Sequence, residues 1–409
     1  MENHASQETA TSLSTELTAQ EASAVSSRPA KPKAGFRGFI PELDGLRAVG
    51  ISLVILNHMW PWESYSRTLF LLLQLPWMLM DGFFVLSGWL ITGILLDTRQ
   101  RPDYLKSFYV RRALRILPIY YAVLIFIVAV ATFKGHEAYG DMLAHWGSPY
   151  WFFVFLGNIP TALTGKWPLA GGGALVPLWS LQIEEQFYLL WPFLVRRMSL
   201  PTLTRVLIGL CCFSTLLRLL LYWRYPANEL VQCVLLPCHL EGLAMGSWLA
   251  IRYRQGPWKI DKKLLSAMVL ALGIVSLGTA AWSGYFNRTA FNRTIGFLIA
   301  PVWFTCIILW LIEFRGSRQS AWLRGPVLQY MGKVSYAAYL FHWPAANVLT
   351  AGLAFLGLQR FDNGIIRLTL IFVMTFGLAA LSWQWFEKPL FLLKDRLFPD
   401  ARLARRPDL

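Results

Sequence analysis

The chain has 409 residues, of which 56% are hydrophobic and only 15% charged, with 19 tryptophans and a formal net charge of +15. Its five cysteines all fall inside apolar runs, which argues against a disulfide framework in loops. The basic residues gather in short linkers beside apolar segments, the arrangement of a membrane surface, so no nucleic-acid partner is expected.

Residues 1–38 are rich in Ser, Thr, Ala and Glu, carry no apolar period, and read as a disordered cytoplasmic tail. They lack the basic start, apolar centre and cleavage site of a signal peptide, so the first span is expected to act as an uncleaved insertion signal. Between residues 39 and 395 apolar runs recur, among them "YYAVLIFIVAVATF" and "LLSAMVLALGIVSLGTAAW", each about long enough to cross a bilayer. Read between charged residues, they give about ten spans, at 42–60, 69–96, 113–133, 178–195, 203–222, 230–251, 264–283, 295–313, 330–355 and 367–387. A basic cytoplasmic tail at 396–409 follows. The expected fold class is an all-α polytopic membrane protein embedded in the lipid bilayer, multi-pass in a cell membrane of the bacterial inner type.

Of the 38 Lys and Arg residues, 29 fall in segments that ten alternating spans place on one side, leaving nine for the other. The richer side is expected to be cytoplasmic, which puts both termini inside. The long connection at 134–177 then faces outside. Its "SPYWFFVFLGNIP" is too short to span and reads either as an interfacial anchor or as a re-entrant piece lining a site, followed by the flexible "LAGGGALVP". The repeated "NRT" at Asn287–Thr289 and Asn292–Thr294 matches a glycosylation acceptor and is taken as incidental.

Ionisable residues at membrane depth mark function by default. In "LDGLRAVGISLVILNHMW", Arg47 and His58 are eleven residues apart, which returns to within about 20° on a helix and separates them by roughly 16 Å. They share one face: Arg47 at the cytoplasmic edge, where positive-inside placement is the plain alternative, and His58 as a proton carrier in the outer third. Asp81 in "MDGFFVLSGWLITGIL" is costly there and needs a partner, whereas Ser87 and Gly88 read as small packing residues. In "LWSLQIEEQFYLLWPFL", Ser180, Glu184, Tyr188 and Trp191 share a stripe that has Trp179 beside it. The adjacent Glu184 and Glu185 point in different directions and are expected to have separate partners. His342 in "VSYAAYLFHWP" sits about mid-membrane, as site support or as a hydrogen-bonded bundle residue. His58, Asp81 and Glu184 all fall in the outer half, a depth at which they can converge. At the cytoplasmic mouth, Arg112 and Arg115 are neighbours on one face, suited to phosphate or to anionic lipid. "CVLLPCH" (Cys233–His239) fits no standard zinc spacing, and no metal is expected.

Five segments in this order, "LDGLRAVGISLVILNH", "DGFFVLSGWLITGIL", "FYVRRALRILPIYY", "LWSLQIEEQFYLLWP" and "SYAAYLFHWP", resemble the integral-membrane acyltransferase-3 family from about Ile40 to Leu393. The resemblance implies transfer of an acyl group, most often acetyl, from cytoplasmic acyl-CoA to a hydroxyl of a sugar or polysaccharide. No permanently bound cofactor is implied, and acyl-CoA enters as donor substrate. The family's arginine–histidine motif falls on Arg47 and His58, its arginine pair on Arg112 and Arg115, and its acidic motif on Glu184 with Glu185 beside it. Some relatives carry an added extracytoplasmic esterase domain; this chain shows none after its last span, so the acceptor is expected to meet the membrane domain directly. In the expected mechanism, Arg112, Arg115 and Arg47 hold phosphate. His58 is general base or transient acyl carrier, and Glu184 or Asp81 orients its ring. A proton-coupled secondary transporter or flippase, using the same carboxylates and histidine, is the alternative from another class, and a ligand-binding sensor is a third.

Overall fold

A computed structural model describes residues 39–60, 76–133, 149–168, 173–256, 260–283, 291–358 and 364–397. The two tails, the first "NRT" and much of the "LAGGG" stretch lie outside the described residues. Twelve helices of eight or more residues occur among those described. They are α1 (Pro41–Met59), α2 (Pro76–Thr98), α3 (Tyr104–Phe133), α4 (Leu178–Arg197), α5 (Leu200–Arg224) and α6 (Leu240–Arg254). After these come α7 (Lys262–Ser283), α8 (Phe297–Glu313), α9 (Pro326–Lys333), α10 (Ser335–Phe355), α11 (Gly364–Ser382) and α12 (Lys388–Leu397).

Local chemistry sets several of the helix starts. Pro41 opens α1 with Glu42 and Asp44 in its first turn, where the helix dipole favours acids. Ser199 caps α5 by accepting the Thr202 backbone N–H at 3.4 Å, and Arg196 and Arg197 close α4 at its negative end. Glu42 is fully buried and accepts from Gly316 N at 2.9 Å and from Arg324 Nη1 at 2.9 Å, which fastens the start of α1 to the turn after α8.

Six described stretches are long and apolar enough to cross a membrane: Met78–Thr98, Tyr104–Phe133, Leu200–Arg224, Lys262–Thr279, Arg293–Glu313 and Gly364–Leu393. The other four expected spans fall on α1, α4, α6 and α10, which carry Arg47 and His58, Glu184 and Glu185, Glu241, and His342 respectively. Polar side chains lower the hydropathy of α1, α4 and α10, and α6 is only 15 residues long. The spans on α5 and α7 expose residues such as Leu216, Leu220, Leu270 and Ile274 broadly, as lipid-facing helices do. Two expected spans are broken. The 230–251 segment divides into a turn at Leu230–Cys233, a tight turn at Leu236–Cys238 containing Pro237, and α6. The 330–355 segment divides at Val334 into α9 and α10.

The tightest helix pair is α2 against α6. Gly242 and Gly246 form a small-xxx-small stripe on α6, and a Cβ on Gly246 would run into the Val85 carbonyl oxygen. Gly88 on α2 meets the Leu243 carbonyl in the same way, so its reading as a packing residue holds. Thr92 Oγ1 then donates to Ser247 Oγ at 2.8 Å and accepts from Trp191 Nε1 at 2.8 Å, tying α4 to the pair.

Candidate active site

Helix α1 delivers Arg47 and His58 to two different neighbourhoods. At its far end His58 is half-buried, with Nδ1 2.9 Å from Nε2 of the fully buried His342 on α10. The ring planes are 12° from parallel and the centroids 5.1 Å apart. His342 Nδ1 is 2.6 Å from the Tyr339 carbonyl oxygen. One turn back, the Tyr339 hydroxyl lies 2.7 Å from both the Pro177 carbonyl and Ser180 Oγ, and Ser180 Oγ is 3.2 Å from the same carbonyl, which binds α10 to the start of α4. The partner of His58 is therefore a second imidazole and not the expected carboxylate.

The carboxylates are held elsewhere. Ser87 Oγ donates to Glu184 Oε1, so the small residue read as packing is a carboxylate ligand. Arg112 on α3 reaches both acids, Glu185 Oε1 at 3.2 Å and Glu184 Oε2 at 3.9 Å from Nη2, while its guanidinium lies over the Tyr188 ring at 3.4 Å. Separate partners were expected for Glu184 and Glu185 because adjacent helical residues diverge by about 100°. The long arginine side chain enters between them and spans the divergence. Near the start of α1, Arg47 pairs with Asp44 at 2.9 Å. Arg115 is exposed and lies within electrostatic range of Arg47, Arg112, Asp44 and Glu387, and Glu184 is within range of Arg47. Arg47, Arg112 and Arg115 thus form one cationic cluster at the α1 start, with Arg112 turned inward onto its acids.

Asp81 is buried on α2 with Oδ1 3.3 Å from His239 Nδ1, and His239 Nε2 donates to the Cys233 carbonyl at 2.7 Å. The shared depth of His58, Asp81 and Glu184 does not give them a shared partner, because each is drawn to a different polar group. Trp179 packs against Phe84 and the His239 ring, at 6.2 and 5.4 Å between centroids. Beyond it lies a buried ion pair of Arg218 with Glu241, and a buried Arg293 whose Nε donates to Gln232 Oε1 at 2.6 Å. Glu241, Arg218 and Arg293 are not singled out from sequence, and His239 is weighed there only as the end of a motif that fits no zinc spacing. The signal available was their position inside or beside apolar runs, which for the arginines was absorbed into the count of loop charges.

The aromatic stretch after α3 forms two short helices, Tyr150–Phe153 and Asn158–Thr164, joined by a turn in which Phe155 holds φ +59°. Its free carbonyls are satisfied by side chains: Tyr120 Oη donates to Phe152 O at 2.7 Å, Tyr121 Oη to Phe153 O at 3.0 Å, and Gln186 Nε2 to Phe155 O at 2.8 Å. The next segment brings Gly173, at φ +81°, against Trp343, where a Cβ would come 2.9 Å from the ring. The Trp343 and His58 ring centroids are 6.1 Å apart, and Trp343 Nε1 is buried with no hydrogen-bond partner. His58 Nε2 likewise carries no hydrogen bond among the described residues.

Residues 40–384 match the family model for an acyltransferase domain. The chain is 28% identical over 373 residues to the peptidoglycan O-acetyltransferase OatA of Listeria monocytogenes, covering 87% of this chain and 56% of that protein. It is 29% identical over 377 residues to the putative peptidoglycan O-acetyltransferase YrhL of Bacillus subtilis, covering 86% of this chain and 55% of that protein. A putative O-acetyltransferase of Staphylococcus aureus is 28% identical over 377 residues, with 86% and 57% covered. The chain therefore spans little more than half the length of these curated relatives. No solved structure matches it.

Proposed function

Because this chain belongs to the acyltransferase-domain family and is a multi-pass enzyme of the cell membrane, we propose that it moves an acetyl group from acyl-CoA to a hydroxyl of a cell-surface glycan. The peptidoglycan O-acetyltransferase of Listeria monocytogenes among its relatives makes peptidoglycan the first acceptor to test. The observation that carries the reading is the division of labour along α1, with an arginine cluster at one end and a histidine dyad at the other. Arg115 and Arg47, both reachable from solvent, take the phosphates of the donor, and Arg112 supports them from its seat between Glu184 and Glu185. Arginine forks match phosphate geometry, and a donor bound there would lay its thioester along the bundle toward His58.

At the other end two polar atoms stand without a partner among the described residues, His58 Nε2 and Trp343 Nε1. An unsatisfied polar atom at membrane depth is costly, and a hydroxyl acceptor bound beside the two rings would satisfy it. His58 takes the acceptor proton as general base. The relatives named above carry the name of O-acetyltransferase, two of them as putative, and lend no support to the transport alternative. Purified protein in proteoliposomes, given acetyl-labelled acetyl-CoA and a soluble glycan strand, is expected to place label in an alkali-labile ester. His58→Ala should abolish that label at normal expression, and full transfer by this variant would remove His58 from the mechanism.

A further inference from the structure

We infer that His342 is a positioning residue that fixes which nitrogen of His58 reacts. The inference rests on the acyl-transfer reading above and adds to it a specific proton arrangement.

The Tyr339 carbonyl oxygen can only accept, so His342 Nδ1, 2.6 Å away, carries a proton and donates. His342 is fully buried, and its hydrogen bonds go to that carbonyl and to the His58 ring, with no carboxylate among them. Such surroundings accommodate the neutral ring, which holds one proton only. His342 Nε2 is then bare, and it can only accept. The proton in the 2.9 Å contact therefore belongs to His58 Nδ1. A neutral His58 with its proton on Nδ1 has its lone pair on Nε2, the atom that no group among the described residues engages. The near-parallel planes, 12° apart with centroids at 5.1 Å, are those of two rings joined edge to edge, which aims the donated hydrogen along the lone pair of the acceptor.

His342 thus takes the place usually given to a carboxylate in such a dyad. The acceptor O–H bond breaks and its proton passes to His58 Nε2 while the oxygen forms a bond to the acyl carbon of the thioester. The C–S bond then breaks, and the departing thiolate takes the proton back from Nε2. Ester and thiol are released, and both rings return to their starting tautomers. While His58 is an imidazolium, its Nδ1 proton is shared with His342 Nε2, so the charge is spread over two rings with the Tyr339 carbonyl at the far end. A carboxylate would hold that charge more strongly, but at this burial it would itself require a counter-ion.

Two measurements on the full-length protein in detergent test the assignment. The chain has six histidines, so a nitrogen spectrum of histidine-labelled protein, with His58→Gln to assign the signal, reads the tautomer directly. A protonated Nδ1 and bare Nε2 on His58 are expected, and a protonated Nε2 on neutral His58 overturns the inference. In the transfer assay, His342→Phe is expected to lower kcat by about 10²–10⁴-fold with KM little changed, the scale of a wrong tautomer in a related dyad. His342→Gln places an acceptor oxygen where Nε2 stood and should recover about tenfold over His342→Phe. If the two variants are equally impaired while both remain folded, or if His342→Phe transfers at the wild-type rate, His342 does not position His58. His58→Ala in the same assay separates the levels: activity retained there overturns the base reading itself, whereas activity lost there and kept in His342→Phe overturns only this inference.

Discussion

Arg112 is the residue on which the lower half of the site turns. Its guanidinium meets Glu185 at 3.2 Å and Glu184 at 3.9 Å and covers the Tyr188 ring at 3.4 Å, with a side chain only 16% exposed. Arg112→Ala leaves two carboxylates in the bundle without their cation, and breaking a buried pair in this way costs about 3–5 kcal/mol. A clearly lower melting temperature in detergent is expected, partly restored when Glu185→Gln is added; an unchanged melting temperature would show that the pair contributes nothing. Arg112→Lys keeps the charge and loses both the fork and the ring contact, so transfer should fall about tenfold or more while the protein still purifies. Arg112, Glu184 and Glu185 are legible in the sequence, but spacing within a helix reports only a face. That one side chain bridges both acids, or that His58 meets a histidine 284 positions away, depends on how separate helices register. No local pattern encodes that register.

At the level of elements, the site depends on how closely α2 and α6 approach. Gly88 and Gly246 bring backbone against backbone, and α2 then presents Ser87 to Glu184 and Asp81 to His239. Gly246→Val would place a branched side chain where the Val85 carbonyl stands. Overpacking of this kind costs about 1–3 kcal/mol and displaces the helices. We expect Gly246→Val to lose both thermal stability in detergent and transfer activity. Gly209→Ala on α5 is the control, because a Cβ there meets nothing within 4 Å, and it should behave as wild type. Gly88 is legible in sequence as a packing residue, as are most helices, whereas its counterparts Gly242 and Gly246 on α6 emerge only from the packing. The interruptions are not legible either, because apolar residues continue across them. At the break before α6, Leu235 turns extended ahead of Pro237, and the Cys233 carbonyl left without a helical donor accepts from His239 Nε2. Hydropathy cannot see such a break, although it places His239 where Asp81 can use it.

The whole molecule must cross the membrane in one sense for the donor and acceptor ends of α1 to face different compartments. Charge is the argument for that sense, and burial strengthens it. Nine Lys and Arg residues fall on the side expected to be outside, yet Arg218 and Arg293 are among them and both are buried, paired with Glu241 and Gln232. They are not loop charges and carry no topological weight, so the bias toward the opposite side is larger than the raw count. Arg112 is lost from the richer side for the same reason, a smaller correction. We therefore propose that the start of α1 and the α6–α7 connection are cytoplasmic and that the α5–α6 connection is outside. Two exposed residues report on this directly, Gln255 just after α6 and Ala227 just after α5. In a variant without the five native cysteines, Ala227→Cys in intact cells should react with a charged, membrane-impermeant maleimide. Gln255→Cys should react only after the membrane is opened. The reverse pattern would put the arginine cluster outside, away from cytoplasmic acyl-CoA, and the donor assignment for Arg47 and Arg115 would have to be given up even if His58 proved essential. Labelling of both positions in intact cells would mean that α6, the one helix of eight or more residues between them, does not cross the membrane.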